Sequence, residues 1–358
     1  MDILLHQYER PVKDLSLDFN TNIATSTNAL IPRLLQPMTH VLLTTPHDPA
    51  VPTSFVTKLL QPLKLTDILQ LANESTLTLA LESPSPSVNL LALYIISKAR
   101  TPSDVAILSI MQPFILQFIR TWLSAESVDV GHKATEVLAD LLELDSPNRK
   151  AGMLSFEMNG GKSELKAEPQ GQGLLWRRIF GDAEIFGAMF DLCSGKGGLD
   201  ERQTSLAQAR LLRLLPRLAA LDIDVLRTPL TGASDESMHV EKGMLWWASV
   251  EMVDRTDVLM HITLLDFFAD LLKRLGGFGE DERVELKQAQ LDFVVGLTKD
   301  MCQKDLAVAA LVVELDQLEQ EPEKGEWKDF IDHIRRSCVP GSYGQQEATE
   351  TVEISREA

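Results

Sequence analysis

The sequence predicts an all-α chain, a curved α-solenoid of HEAT- or armadillo-like repeats, and three observations predict it. Apolar residues recur at helical spacing through most of the 358 residues, and strand-like alternation is scarce. The helical segments come in neighbouring pairs. One apolar template (a start position, then +4, +7 and +11) returns at long intervals.

The elements follow in order. The N-terminal third is punctuated by proline, and LLQP stands at 34–37 and again at 59–62. Proline cannot continue the backbone ladder, so each copy ends or kinks a helix. STLTLAL at 75–81 alternates like a half-buried strand, but its helical surroundings make it a short helix. Periodicity then predicts helices at 86–99, 104–123, 127–144, 174–194, 200–221, 243–253, 255–275, 284–302 and 305–320, with a shorter one at 326–336.

The template reads Val130, Ala134, Val137 and Leu141 within DVGHKATEVLADLLELD. It fits Val88, Ala92, Ile95 and Ala99, then Ala207, Leu211, Leu214 and Leu218, then Val258, Ile262, Leu265 and Ala269. Ser87, Asp129 and Asp257 precede three of the starts as helix N-caps. Val88 and Val130 lie 42 residues apart, and Val130 and Val258 lie 128 apart. The longer interval is three units of about 42.7, and HEAT and armadillo repeats run at about 40–47. At that period the chain holds about eight units.

Three segments interrupt the pattern and set the domain plan. N-terminal repeats fill 1–144, a long mobile loop rich in Gly, Pro and charge fills 145–173, and C-terminal repeats fill 174–338. Residues 228–242 form a second loop. The acidic tail at 339–358 lacks periodicity and is expected to be disordered.

Charge and cysteine narrow the function. With 34 Lys and Arg against 52 Asp and Glu, the net charge is −18. That balance opposes nucleic acid and anionic membrane surfaces and favours basic protein partners. Cys193, Cys302 and Cys338 form no CxxC pair, so neither a disulfide framework nor a zinc site is expected. Cys193 and Cys302 read as buried thiols. Without a signal peptide or a long apolar span, the expected locations are cytoplasm and nucleus.

His132, Glu136 and Asp140 stand four residues apart, so a helix shows them from nearly one face. Such a row suits metal ligation, but no HExxH motif or second ligand cluster supports it. The row, with Lys133, is expected to be a solvated repeat face that touches a protein. GGKS at 160–163 ends like a phosphate-binding loop, yet Phe156 stands where the first glycine is needed. No catalytic residue, cofactor or metal is expected.

Two features are weighed as protein contacts against a structural role: internal ion pairing for an arginine row, and core packing between repeats, the favoured reading, for three tryptophans. Arg210, Arg213 and Arg217 share one face of helix 200–221, where they could hold a partner's carboxylates or pair internally with Asp182, Glu184 or Asp191. Trp176, Trp246 and Trp247 fall in LLWRRIF and MLWWASV. Adjacent tryptophans cannot both enter one narrow core, so Trp246 or Trp247 should be partly exposed.

Three stretches carry a resemblance: SAESVDVGHKATEVLADLLE at 124–143, GLLWRRIFGDAEIFGAMFDLCS at 173–194, and WKDFIDHIRRSCVPGSYG at 327–344. Together with the long-period array and the acidic balance, they resemble the proteasome regulatory-particle assembly chaperones of the non-ATPase subunit 5 type. Fungal members of that family also carry a DNA mismatch repair label. The resemblance implies a C-shaped solenoid, monomeric when free. Its concave face would hold the C-terminal domain of an AAA ATPase subunit and delay docking, without catalysis. The alternative expectation is a helical-repeat scaffold or adaptor for another protein.

Overall fold

A computed structural model describes residues 49–149, 154–159, 162–167, 169–229, 242–278, 285–317 and 325–338. Apart from one two-stranded hairpin, the regular elements of the described residues are all α-helices. The chain divides into two units. One comprises Met1–Asp145 with Ala151–Leu175, the other Ser146–Lys150 with Trp176–Ala358.

In the first unit the helices are α1 (Ala50–Leu60), α2 (Leu65–Leu71), α3 (Glu74–Glu82), α4 (Pro86–Ile96), α5 (Pro102–Ser109), α6 (Gln112–Ser124) and α7 (Val128–Asp145). Helix α1 stops where LLQP at 59–62 requires, with Gln61 as its C-cap. The 34–37 copy lies outside the described residues. The alternating segment at 75–81 is helical, as expected, and buries Leu77 and Leu81.

Helix α3 packs on α4 and on α6; α4 packs on α1 and α7; and α6 packs on α7. Short helices α2 and α5 lie against α4 and α7 respectively. The starts of α4 and α7 are 42 residues apart.

Polar side chains tie the turns. Asn89 directs its amide nitrogen at the carbonyls of Ala80 (2.9 Å), Leu81 (3.0 Å) and Ser83 (3.0 Å), at the end of α3. Thr121 of α6 donates to the same Leu81 carbonyl at 3.1 Å. Lys98 donates to the carbonyls of Gln61 and Leu63 beyond α1. These are carbonyls that a helix end leaves without intrahelical donors.

Several expectations need correction. The expected helix 104–123 is two helices, α5 and α6, bent by 96°. Pro113 sits in the first turn of α6, where its missing N–H costs no helical bond, and it marks a new start rather than a continuation. Helix α4 is capped at Ser85 rather than Ser87. Helix α7 begins before Asp129, with the Ser127 hydroxyl accepting from the Val130 amide at 3.5 Å. The segment 145–173, expected as a loop, contains an antiparallel pair: β1 (Leu154–Asn159) and β2 (Lys162–Ala167), with Leu154 opposite Ala167 and Phe156 opposite Leu165. The sequence LSFEMN carries an apolar residue at every second position, the alternation of a strand. Lys162 and Ser163 of GGKS therefore open strand β2, where a phosphate-binding loop would lead into a helix.

The long excursion returns to where it left. Asp145 is fully buried; its Oδ2 accepts from the Leu175 amide at 2.6 Å and its carbonyl from the Gly173 amide at 2.8 Å. A Cβ on Gly171 would lie 2.1 Å from the Asp145 carbonyl carbon, so this close approach requires glycine.

Helix α8 (Leu174–Gly181) begins at that junction and carries the chain into the second unit. There follow α9 (Ala183–Cys193), α10 (Glu201–Arg227), α11 (Gly243–Val250), α12 (Val258–Gly276), α13 (Gln288–Lys304), α14 (Leu306–Gln317) and α15 (Gly325–Cys338). The expected helix 174–194 is thus broken at Asp182, whose carboxylate caps α9 through the Glu184 and Ile185 amides. Helix α10 outruns its expected end and turns at Asp222, where φ is −157° and ψ is 87°. The 339–358 tail and most of the 228–242 loop lie outside the described residues.

In this unit α9 packs on α10, α10 on α11, α13 on α14 and α14 on α15, while α10, α11, α12 and α13 each pack on the helix two places along. The row α10, α12, α14 is continuous, as is the row α11, α13, α15. Phe190 of α9 meets Trp247 of α11 at 4.6 Å between ring centroids and so extends the second row. Buried Gln208 of α10 binds both rows together: its amide donates to the carbonyls of Cys193 (2.8 Å) and Met252 (2.9 Å).

The apolar template holds in α7 and α10, whose four positions are all buried, and in α4 from Ala92 onward. It fails in α12. Val258 is 72% exposed and Ile262 51% exposed, while Met260, Leu264, Phe267, Phe268, Leu271, Leu272 and Leu275 form the buried face. The template was laid on the wrong side of that helix, so the 128-residue interval does not relate equivalent core positions.

Candidate functional site

Helix α7 places His132 and Glu136 on one exposed face, as expected, with Asp140 also exposed. His132 Nε2 lies 3.3 Å from Glu136 Oε1, and Lys133 Nζ lies 3.1 Å from Glu136 Oε2. The Lys133 hydrogen bond, with the charges of Lys133 and His132, outweighs slight desolvation and holds the Glu136 carboxyl below its usual range. Among the described residues no group of three or more His, Cys, Asp or Glu could hold a metal ion, so the metal reading of this row gains no support. The opposite side of α7 is core: Trp122 Nε1 donates to the Thr135 hydroxyl at 2.8 Å, which donates on to the Gly131 carbonyl.

The arginine row does not stand as one exposed stripe. Arg210 is buried, Arg217 is half-buried and Arg213 is exposed. Burial lowers the Arg210 guanidinium from its ordinary value. The reason is angular: Arg210 lies beside Ala207, Leu211 and Leu214, and the apolar arc of α10 is wide enough to include it. Of the carboxylates proposed as internal partners, Asp182 pairs with Arg178 at 3.1 Å.

The tryptophan pair behaves as its adjacency requires. Trp247 is buried, whereas Trp246 is half-buried and donates its indole N–H to Asp300 Oδ2 at 2.8 Å. Lys242 Nζ sits 4.3 Å from the Trp246 ring centroid and 3.2 Å from the same Asp300 oxygen. Desolvation pushes the Asp300 carboxyl up, but the bonds from Trp246 and Lys242 and the charges of Lys242 and Lys304 prevail and lower it. Cys193 and Cys302 are buried, as expected, and burial raises the Cys193 thiol. The Cys338 side chain lies outside the described residues.

A cluster that the sequence did not reveal joins three helices of the second unit. Asp305 stands between α13 and α14, with its side chain 8% exposed. Its Oδ2 lies 2.6 Å from His261 Nε2 of α12 and 3.6 Å from Arg255 Nε, and its Oδ1 accepts from the Ala307 amide at 2.9 Å. Arg255 also donates to the carbonyls of Ser249 and Val250 at the end of α11. The cap at Asp305 was legible, because Asp precedes an apolar run there. Its partnership with His261, 44 residues away, was not.

Around this cluster the surface is apolar. Val258 and Leu259 are each 72% exposed, Ile262 is 51% exposed, and Leu306 is 86% exposed. The His261–Asp305 contact brings the first turns of α12 and α14 to the same end of the unit. The result is an uncovered apolar face at one end of this helical unit. No family model, curated protein or solved structure significantly matches this chain. Among the described residues no single helix is long and apolar enough to cross a membrane.

Proposed function

We propose that this chain is a non-catalytic, protein-binding α-solenoid of HEAT or armadillo type. Within that class we propose an assembly chaperone for the base of the proteasome regulatory particle. It would work monomerically in cytoplasm and nucleus, hold the C-terminal domain of an AAA ATPase subunit on a curved face, and need neither cofactor nor nucleic acid. The two continuous rows of the second unit, α10–α12–α14 and α11–α13–α15, carry this reading. Such packing buries a core between rows and leaves extended outer faces for a partner, which is how solenoids bind. The acidic balance and the three resembling stretches at 124–143, 173–194 and 327–344 support the finer assignment.

Mechanistically, the chaperone acts by masking. A bound face cannot dock elsewhere, so affinity alone delays assembly and release restores it. The test is direct binding of the purified chain to the isolated C-terminal domain of each base ATPase, read by calorimetry. Saturable one-to-one binding to one of them is expected. If none binds, while another folded protein does, the chain is a general helical scaffold.

A further inference from the structure

We propose that Val258, Leu259 and Ile262 of α12, extended by Leu306 of α14, form a docking surface for a cationic amphipathic helix of a partner protein. The inference deepens the protein-binding reading and rests on it, but not on the identity of the ATPase.

The surface is surplus to the fold. Helix α12 already buries a complete apolar face, from Met260 through Leu264 and Phe268 to Leu275. Val258, Leu259 and Ile262 stand on the other side, at i, i+1 and i+4, so they form one contiguous strip. Single exposed apolar side chains are ordinary, but four at one end of a unit mark a contact surface. The spacing is that of anchors in helix-to-helix recognition, where apolar residues one turn apart meet a matching row.

The strip is also held still. His261, within it, is locked to Asp305 at 2.6 Å, and Asp305 is fixed by the Ala307 amide and by Arg255. Leu306 follows directly, so the first turns of α12 and α14 share one rigid platform. A rigid apolar surface loses little freedom on binding.

Charge selects the occupant. Exposed Asp254 and Asp257 stand at the N-terminal edge of the strip, and exposed Asp266 continues it one turn beyond Ile262. Of the facing cations, Arg255 is engaged by Asp305 and by two backbone carbonyls, and Lys304 reaches the Val250 carbonyl at 3.5 Å. The border is therefore anionic, on a chain of net charge −18. Such a rim favours a helix with Lys or Arg flanking its apolar row and disfavours an anionic helix or an anionic bilayer.

The full-length chain tests this with synthetic amphipathic helices of about 18 residues, one Leu/Lys and one Leu/Glu with the same leucine row. Fluorescence titration should show binding of the Lys peptide and none of the Glu peptide. The triple variant Val258→Ser, Leu259→Ser, Ile262→Ser keeps the charge and should weaken the Lys peptide by about tenfold or more, as truncation of central anchors does. Asp266→Asn should weaken it less and make binding less salt-sensitive. An unchanged thermal melt shows that the variant still folds. Equal binding of the Lys peptide to the parent and the triple variant, absence of binding, or equal binding of both peptides would overturn the proposal. So would self-association of the parent that the triple variant abolishes, which would make a second copy the occupant. Because the peptides contain no ATPase sequence, loss of ATPase binding alone leaves this surface standing.

Discussion

Replacing Gln208 with Leu offers the sharpest test of how the second unit is held together. The change is nearly isosteric, at a position only 9% exposed, and it removes a single group, the amide that donates to Cys193 and Met252. Cys193 is the last residue of α9, so its carbonyl has no place in the intrahelical ladder. A buried carbonyl deprived of its donor costs about 1–3 kcal/mol. Two of them cost about 2–6 kcal/mol, before the added methyl groups of leucine return about 1–1.5 kcal/mol through burial. Partial entry of water lowers the total further, and a net loss of about 2–3 kcal/mol is expected.

Urea unfolding followed by tryptophan fluorescence measures it. Four of the five tryptophans (Trp176, Trp246, Trp247 and Trp327) lie in the second unit, so the signal reports mainly on that unit. With a slope of about 2 kcal/mol per molar, the midpoint should fall by about 1–1.5 M. Gln208→Glu should fall at least as far, because a carboxylate cannot donate to either carbonyl and is buried with its charge. A Leu variant within about 0.5 kcal/mol of the parent would match an ordinary surface change and refute the bridging role. A Glu variant as stable as the parent would likewise refute the bridging role, since a carboxylate has no proton to donate to either carbonyl.

Three further outcomes are expected. Arg213→Glu should change stability by no more than about 0.5 kcal/mol, whereas Arg210→Glu should cost more than about 2 kcal/mol in the same urea titration; similar values would contradict their different burial. Asp305→Ala should lower stability by about 2–4 kcal/mol, since it removes the cap of α14 and strips His261 and Arg255 of their carboxylate; a neutral result in a thermal melt would show the cluster to be incidental. Asp300 has a folded pKa below its unfolded value, so its contribution is complete above about pH 4 and is lost as pH falls through the folded value. Lys242→Met with Trp246→Phe should therefore flatten that acid limb in a pH series of melts, and an unchanged limb would assign it to other carboxylates.

How much of this was written in the sequence depends on the range of the interaction. Helix existence is local: periodicity marked the stretches that hold every described helix from α4 onward, because the apolar repeat encodes a single face, although it merged α5 with α6 and α8 with α9 and ended α10 short. Helix breaks were less legible. The Pro113 and Asp182 breaks join helices whose apolar rows run on without interruption, so periodicity averaged across both bends. The hairpin at 154–167 had its signal in the alternating LSFEMN, but the surrounding Gly, Pro and charge outweighed it.

The site was the least legible part, and for a physical reason. A period identifies a row of apolar residues but not which of two adjacent rows faces inward. In α12 both sides are apolar at the N-terminal end: Val258 and Ile262 on one, Met260 and Leu264 on the other. Only contact with α10, α14 and α15 decides between them, and those contacts are long-range. The template chose the outward row, and so it discarded as core the residues that most suggest a binding surface. The same ambiguity explains why the His132, Glu136 and Asp140 row drew attention. A polar row on an amphipathic helix is conspicuous in sequence because it contrasts with its neighbours, whereas an apolar row left in solvent is disguised as core. In helical arrays, therefore, a start that fits the template but fails to bury is a better guide to a contact surface than a conspicuous polar row. The test is the α12 strip itself: serine at Val258, Leu259 and Ile262 should leave the melt unchanged, whereas serine at Val130, Val137 and Leu141 of α7 should collapse it, since those three are buried to within 2%. Equal losses in the two variants would mean that the α12 strip is core after all.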